Sequence, residues 1–228
     1  MKKGVLISAI SVFAIVTSGF VSAEYSNELK DAYKYAYNNG ITTMTSIEKA
    51  DMEWNLTRIA MAKMISNYAI NVLWLQIDSN DSCSFSDVSN ILNSNYDNWV
   101  TNACKLWLMW QNMPNNKFRP MDSVTRAEFW TTLSRTLHKA LWTTLKDWTP
   151  NYYSTHLNYL NTEKVMNDIS NPSMLEVRWY VMLMMMRASN LVDTLPNAWE
   201  CVTECFDTNW NVNLTAENIY NCLLECVD

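Results

Sequence analysis

Thr125, Arg126 and Glu128 are the residues whose types and spacing most clearly suggest binding chemistry. They fall in the first turn of a predicted helix, where partial positive charge and backbone N–H groups favour anions. An arginine at such a place can hold a carboxylate through two parallel hydrogen bonds. The spacing therefore predicts a site for an anionic group centred on Arg126.

The helix that must position these residues begins after a turn that contains Ser123. Ser123 is a candidate N-cap or N′ residue, because its hydroxyl can accept a hydrogen bond from a backbone N–H at the helix start. Phe129, Leu133 and Leu137 recur at i, i+4 and i+8, which is the spacing of one apolar helix face. We expect this face to pack into a core, with Arg126 at the helix end.

The stretch from Phe85 to Leu137 resembles a repeat of the S-layer homology (SLH) family. It contains, in order, Phe85-Ser86-Asp87-Val88, Trp99-Val100, Ala103 and the segment FRPMDSVTRAEF at residues 118–129. The family pattern is Phe-x-Asp-Val, a helix with an aromatic residue near its start, a Gly-containing loop, Phe-x-Pro and a Thr-Arg-Ala-Glu helix. Several motifs in the same order make this resemblance specific.

Two weaker copies of the pattern flank the complete one. In the first copy Arg58 aligns with Arg126, but Ala60 stands in place of the glutamate. In the third copy Arg178 aligns, but it follows Val177 where the motif has threonine. The resemblance implies a mostly α fold of three SLH helix-pair repeats in a pseudo-threefold arrangement, and internal repetition of this kind is typical of stacked units. The implied repeats are residues 24–76, 83–142 and 143–192.

The resemblance also implies a function, which is non-covalent attachment to the cell surface. In that family the grooves between repeats bind anionic cell-wall polysaccharide, and the helix-start arginine contacts the acidic sugar substituent. The binding residues implied here are Arg126, Arg58, Arg178, Thr125, Glu128 and Asp87. The alternative for each arginine is a salt bridge to a carboxylate of a neighbouring repeat, and for Asp87 it is the capping of a turn. The departures at Ala60 and Val177 suggest that not all three grooves bind the polysaccharide.

The N-terminus has the features of a secretory signal peptide, with Lys2-Lys3, an apolar run over residues 5–16, and small residues up to Ala23. The apolar run is short for a membrane span, and an uncleaved N-terminal anchor is the alternative. We therefore predict cleavage after Ala23 and export to the cell surface or cell wall, without a membrane span after signal cleavage.

Composition supports a folded protein and argues against a nucleic-acid partner. Of the 228 residues, 49% are apolar, which is enough for a core. The net charge is −6, and the basic residues form no run beyond Lys2-Lys3. Phosphate backbones require clustered Lys and Arg, so the expected partner is not a nucleic acid.

The six cysteines lie in the part of the chain that is predicted to be exported, where disulfides are the default expectation. Cys83, just before the Phe-x-Asp-Val motif, is expected to pair with Cys104 in the following helix.

The other four cysteines form two i, i+4 pairs, Cys201 with Cys205 and Cys222 with Cys226. A C-terminal helical hairpin at residues 193–228, with Cys201 bonded to Cys226 and Cys205 to Cys222, satisfies this spacing. Two other connectivities and a zinc site with four thiolate ligands remain as alternatives. A second functional interpretation treats the repeats as a scaffold and this hairpin as the binding site for a protein partner.

Apart from the four C-terminal cysteines, the sequence contains no motif for catalysis, for a cofactor or for a metal. The chain lacks a Gly-rich phosphate loop, a Gly-x-Ser-x-Gly elbow and a Cys/His nucleophile pair. His138 and His156 are the only histidines, and they do not have metal-ligand spacing. The methionines at 182–186 are typical of buried helix packing. We therefore expect a protein that is not an enzyme and holds no cofactor. The alternative is an enzyme with two facing carboxylates in a pocket, as in glycosidases.

The tryptophan content is unusual, since 11 tryptophans accompany only 3 glycines. Ordinary usage would give about 16 glycines in a chain of this length. Trp107 and Trp110 stand where the SLH pattern has helix-ending and loop glycines, and Trp54, Trp130 and Trp148 are further candidates. Our hypothesis is that many of these residues are encoded by in-frame UGA codons, which some bacterial lineages read as glycine. The alternative is a tryptophan-rich surface that stacks on sugars.

Overall fold

The computed structural model of the protein describes residues 25–80, 83–95, 98–109, 116–141, 143–145 and 151–194. The predicted signal peptide and the four cysteines of the predicted hairpin (Cys201, Cys205, Cys222 and Cys226) lie outside these residues. Within them the fold is mostly α-helical, as predicted, and the backbone pairs between segments are isolated bridges.

The described residues form seven α-helices and one 3-10 helix. They are α1 (Asn27–Asn38), the 3-10 helix (Glu48–Ala50), α2 (Arg58–Asn71), α3 (Asn90–Asn95), α4 (Trp99–Lys105), α5 (Arg126–Ala140), α6 (Ser154–Thr162) and α7 (Arg178–Thr194). Three of them, α2, α5 and α7, begin at the arginines that the sequence pattern aligns.

Threonine side chains cap α2 and α5. At α5 the Thr125 Oγ1 accepts a hydrogen bond from the Glu128 N–H at 3.3 Å, and the Glu128 Oε2 accepts one from the Thr125 N–H at 2.7 Å. This reciprocal pair is a capping box. The N-cap is therefore Thr125, and Ser123 lies two residues before it. At α2 the Thr57 Oγ1 accepts from the Ala60 N–H at 3.4 Å without a reciprocal bond.

The helices pack in three main pairs, two of which join successive segments of the chain, while the third joins the first segment to the last. α4 packs against α2, α6 packs against α5, and α1 packs against α7. The last pair closes the arrangement, because the Arg187 Nη2 donates to the Glu28 Oε1 at 2.6 Å and the Tyr35 hydroxyl bonds the Ser189 hydroxyl. Each pair thus combines helices from two different segments of the predicted repeats.

The segments that precede α2, α5 and α7 meet in a closed ring of backbone hydrogen bonds, which we call the central ring. The Leu56 N–H donates to the Glu176 carbonyl at 2.7 Å. The Val124 N–H donates to the Leu56 carbonyl at 2.8 Å, and the Glu176 N–H donates to the Val124 carbonyl at 2.9 Å. The three residues therefore occupy equivalent places in the fold.

The same three segments accept hydrogen bonds from the helix starts. The donor N–H groups and acceptor carbonyls are Arg58 to Asp122, Ile59 to Pro120, Arg126 to Met174, Ala127 to Pro172, Arg178 to Trp54 and Trp179 to Met52, at 2.8–3.2 Å. The first two N–H groups of a helix normally lack partners within the helix. Because neighbouring segments satisfy them here, these N–H groups cannot bind an anion. The expectation of free N–H donors beside Arg126 was therefore wrong.

The core follows the apolar patterns of the sequence. Phe129, Leu133 and Leu137 on α5 are fully buried, as predicted from their spacing. Met182 and Met184 are buried in α7, which agrees with the packing interpretation of the methionine run. These side chains belong to one hydrophobic core cluster.

The predicted disulfide between Cys83 and Cys104 is present, with the two Cα atoms 6.1 Å apart. It joins the segment before α3 to α4.

Candidate functional site

The three arginines at the starts of α2, α5 and α7 have comparable backbone positions but different surroundings. Each follows the cap position of its helix and donates its backbone N–H to the preceding loop of another segment. Their side chains differ in the groups that the neighbouring segments and their own helices present to them.

Arg58 is engaged within the protein. Its side chain is only 7% exposed, and its Nε donates to the Phe118 carbonyl at 2.7 Å. The guanidinium also lies over the Phe118 ring, and its Nη1 is 4.0 Å from the Glu128 Oε1. Burial lowers the pKa of Arg58, and the nearby carboxylate of Glu128 opposes that shift. The salt bridge to a neighbouring segment, which the sequence left open as an alternative, is present here.

Arg178 is partly engaged. Its Nη1 lies 3.5 Å from the Asp51 Oδ2 and donates to the Ala50 carbonyl at 3.4 Å. Asp51 belongs to the first predicted repeat, so this contact is also of the alternative kind. The Arg178 Nε is buried and has no hydrogen-bond partner among the described residues. The pair is more exposed than the Arg58 contact, and exposed pairs contribute little to stability.

Arg126 differs from both. It forms no ion pair and no side-chain hydrogen bond with any described residue, and its Nε is buried without a partner. The guanidinium carbon lies 5.6 Å from the Trp130 ring centroid and 5.2 Å from that of Tyr180. We call Arg126 with these two rings the Arg126 site. Its hydrogen-bond donors have no carboxylate from the described part of the protein.

Asp168, an exposed residue in the loop before α7, interacts electrostatically with Arg126. The pKa of Asp168 is lowered first by hydrogen bonds from Ser170 and further by the positive charge of Arg126. The two side chains do not form a salt bridge, so Asp168 does not occupy the guanidinium.

The difference between the Arg58 and Arg126 sites arises at one position of the neighbouring helix, which is the second residue after the arginine at which that helix begins. At the Arg58 site the neighbouring helix α5 supplies Glu128 at that position. At the Arg126 site the neighbouring helix α7 supplies Tyr180. An aromatic ring thus stands at Arg126 where a carboxylate stands at Arg58, and a ring favours a cation without neutralising it.

Thr125 and Glu128 have structural contacts in the part of the chain that the structure describes. The Glu128 Oε2 accepts hydrogen bonds from both the N–H and the hydroxyl of Thr125, at 2.7 and 2.9 Å. Its other oxygen faces Arg58 and not Arg126. The predicted binding role of both residues remains a prediction.

Asp87 holds the turn that carries Arg58's main contact. Its Oδ1 accepts from the Phe118 N–H at 2.7 Å, and its Oδ2 accepts from the Arg119 N–H at 2.8 Å. Burial opposes the ionised form, but these backbone donors lower the pKa of Asp87 overall. The capping interpretation of Asp87 agrees with this geometry, although the capped turn is distant in sequence.

Glu176 is not among the binding residues that the sequence predicts. Its side chain is fully buried, and its Oε2 accepts a hydrogen bond from the Trp130 Nε1 at 2.7 Å. Burial raises the pKa of Glu176 to about 7, against the opposing effects of the Val177 N–H, the Trp130 N–H and the charge of Arg126. The sequence contains one signal for this residue: when the three motifs are aligned at their arginines, Glu176 takes the position at which the first motif has the apolar Leu56.

The two histidines lie between α5 and α6 and have structural surroundings. His156 is buried, and its Nδ1 is 2.9 Å from the Ser134 hydroxyl. Burial, followed by the effect of His156, lowers the pKa of His138 to about 4. Among the residues that the structure describes, no group of three or more His, Cys, Asp or Glu side chains is arranged to hold a metal.

Within the described ranges, no helix has the length and apolar character that crossing a membrane requires. Comparison with protein-family models and with curated proteins finds no match to this chain.

Proposed function

We propose that the protein attaches non-covalently to the cell surface by binding an anionic cell-wall polysaccharide, with Arg126 as the principal contact. The observation that carries this proposal is the contrast between the arginines. Arg58 and Arg178 have carboxylate partners from neighbouring segments, whereas Arg126 has none among the described residues. A carboxylate on a sugar would complete the hydrogen bonding of its guanidinium.

The fold supports the accompanying proposal that the chain contains three SLH repeats in a pseudo-threefold arrangement. The central ring brings three helix starts together with the same pattern of backbone hydrogen bonds. The closing contact between α1 and α7 makes the order of packing cyclic. The three segments that resemble the SLH motif lie at these helix starts.

One arginine in an otherwise acidic protein provides a weak site, so we expect the polymer to supply the avidity. The net charge is −6, which disfavours long-range attraction to an anionic polymer. A surface that presents many acidic sugars can retain a protein through repeated rebinding and through several copies of the protein. An exported protein with a predicted signal peptide would meet such a polymer in the cell wall.

Co-sedimentation with purified cell-wall sacculi tests the proposal. We expect the mature wild-type protein to sediment with sacculi, and Arg126→Ala to lose at least about tenfold in affinity, because a charge-assisted bidentate contact is lost. Arg119→Gln is the matched control, because Arg119 is exposed and pairs with Asp122 at 3.4 Å. That variant should sediment like wild type.

Two results would refute this function. Wild-type protein that remains in the supernatant would favour the scaffold interpretation, with a protein partner for the predicted hairpin. Equal sedimentation of Arg126→Ala and wild type would show that binding does not use the Arg126 site.

A further inference from the structure

Glu176 places a carboxyl group where the other members of the central ring carry the aliphatic side chains of Leu56 and Val124. Its backbone makes the same ring hydrogen bonds as theirs, so the ring itself does not require a carboxyl group. The side chain is 0% exposed. Burying an ionisable group costs free energy unless it is neutralised or paired, so a hydrophobic residue would suit the ring better. The carboxyl group therefore needs another explanation.

The carboxyl group lies directly behind the Arg126 site. Its Oε2 accepts from the Trp130 Nε1 at 2.7 Å, and the ring of Trp130 lies 5.6 Å from the Arg126 guanidinium carbon. The positive charge of Arg126 acts on Glu176, although the two side chains are not close enough for a salt bridge. Arg126 is thus coupled to a buried group that can change charge.

Among the described residues, two charged or titratable groups interact with Glu176. Arg126 faces it from α5, and Tyr180 faces it from α7, which begins two residues after Glu176. Burial is the main cause of the raised pKa of Tyr180, with Arg126 opposing the shift and Glu176 adding to it. Asp168 also interacts electrostatically with Arg126, and the segment before α2 contributes the apolar Leu56 to the central ring. A change in the charge of Glu176 therefore acts mainly on Arg126.

We propose that protonation of Glu176 switches the Arg126 site to tighter binding of carboxylate-bearing sugars, and that ionisation of Glu176 weakens that binding. This proposal rests on the proposed function of Arg126. A protonated Glu176 leaves the charge of Arg126 uncompensated, whereas an ionised Glu176 competes with the ligand for it. Burial raises the pKa of Glu176 to about 7, so the change falls near neutral pH. By reciprocity, a bound anion raises the pKa of Glu176 further.

Calorimetric titration with a galacturonic acid trimer tests the switch, because the carboxylates of this probe stay ionised between about pH 5.5 and 8.5. Wild-type affinity should fall about tenfold over this range, which is the order expected for one charge acting across a short, partly buried distance. Glu176→Gln should keep the tight binding throughout, since glutamine is neutral and can still accept from Trp130. Glu163→Gln, at an exposed carboxylate after α6, should behave like wild type.

A second measurement does not depend on the ligand. The NMR signal of the Trp130 indole N–H should shift with a midpoint near the pKa of Glu176. The midpoint should rise in Arg126→Met, because a positive charge that favours the carboxylate is removed. An unchanged midpoint would overturn the coupling on which the switch depends, whatever the ligand.

The binding experiment separates the two proposals. Two results would overturn the switch and leave the proposed function standing, provided that Arg126→Met does not bind the trimer. In the first, wild-type affinity is the same at each pH. In the second, the affinity of Glu176→Gln depends on pH in the same way as that of the wild type. A trimer that binds at no pH, or that binds Arg126→Met as well as wild type, overturns the Arg126 site and the switch together.

Discussion

Replacing Trp107 by glycine should stabilise the protein, because the backbone at this position has the conformation that glycine favours. Trp107 follows α4 with φ of 58°, in the left-handed region, and its side chain is 56% exposed. Its N–H donates to the Cys104 carbonyl at 2.8 Å, and the Leu108 N–H donates to the Ala103 carbonyl at 2.9 Å. These are the two bonds of a Schellman motif, in which the left-handed residue is usually glycine.

The chain provides its own reference for this turn. Gly40 follows α1 with φ of 67°, its N–H donates to the Tyr37 carbonyl, and the Ile41 N–H donates to the Ala36 carbonyl. The two helix ends therefore have the same hydrogen-bond pattern, with glycine at one and tryptophan at the other. Trp74, after α2, has φ of 51° and is 78% exposed, so it is a second residue of the same kind.

The expected gain follows from two opposing terms. A residue other than glycine costs about 1–2 kcal/mol in the left-handed region. Glycine loses about 0.5–1 kcal/mol more chain entropy on folding. Because the Trp107 side chain is more than half exposed, its remaining contacts are a minor term. Trp107→Gly should therefore raise the free energy of unfolding by about 0.5–1 kcal/mol.

Urea unfolding with the disulfide intact measures this change as a higher midpoint with an unchanged slope. Trp130→Gly is the matched comparison, because Trp130 is 0% exposed within α5 and donates to Glu176. That variant should lose about 4 kcal/mol or more, since it leaves a large cavity and an unpaired acceptor. Loss of stability in Trp107→Gly would refute the argument from backbone conformation.

The backbone conformations and contacts of these tryptophans bear on the hypothesis of UGA codons. The backbone supports glycine at Trp74 and Trp107, whereas the contacts of Trp130 favour the tryptophan that the sequence shows. A peptide from the native protein that spans residue 107 should have the mass of the glycine form if the hypothesis holds. If most of the eleven tryptophan codons are UGG, the hypothesis is wrong.

Three further results are expected. Arg58→Ala should destabilise the protein by about 3 kcal/mol in urea unfolding, because it leaves the buried Phe118 carbonyl without its donor, whereas Arg126→Ala should cost less than about 1 kcal/mol. Cys83→Ser should cost about 3 kcal/mol, as expected for a loop that spans 21 residues. The stability of the wild type relative to His138→Gln should fall as the pH drops from about 6.5 towards 4, since the lowered pKa of His138 means that the unfolded chain binds the extra proton first. The raised pKa of Glu176 acts in the opposite sense over this range, but it acts in both proteins and cancels in the difference. A difference between the two proteins that does not change with pH would contradict the assignment.

Local features of the structure were predictable because their causes are local. The apolar spacing of Phe129, Leu133 and Leu137 indicated the buried face of α5, and the spacing of Cys83 and Cys104 indicated their disulfide. The helix start at Arg126 was also predicted, although the N-cap proved to be Thr125. Each of these depends on residues that are close in sequence.

The state of each arginine was not predictable in the same way, because its partners come from other segments. The contact of Arg58 with Glu128 joins residues that are far apart in sequence, and so does the hydrogen bond between Trp130 and Glu176. Those contacts depend on which segments meet at the central ring. A single sequence shows that three helix starts are related, but it does not show which side chain of one faces the arginine of another.

Because each helix start contacts the arginine of another segment, one Thr-Arg-Ala-Glu motif does not supply all the residues around its own arginine. The complete motif on α5 carries both Arg126 and Glu128, yet Glu128 faces Arg58 of the incomplete motif on α2. The residue that faces Arg126 is Tyr180 of the least similar motif. The availability of each arginine therefore depends on the motif of the neighbouring segment. The alanine at residue 60 in the first motif does not deprive Arg58 of a carboxylate, because Glu128 of the second motif supplies it. Arg126 lacks such a partner because the third motif has tyrosine, and not glutamate, at residue 180.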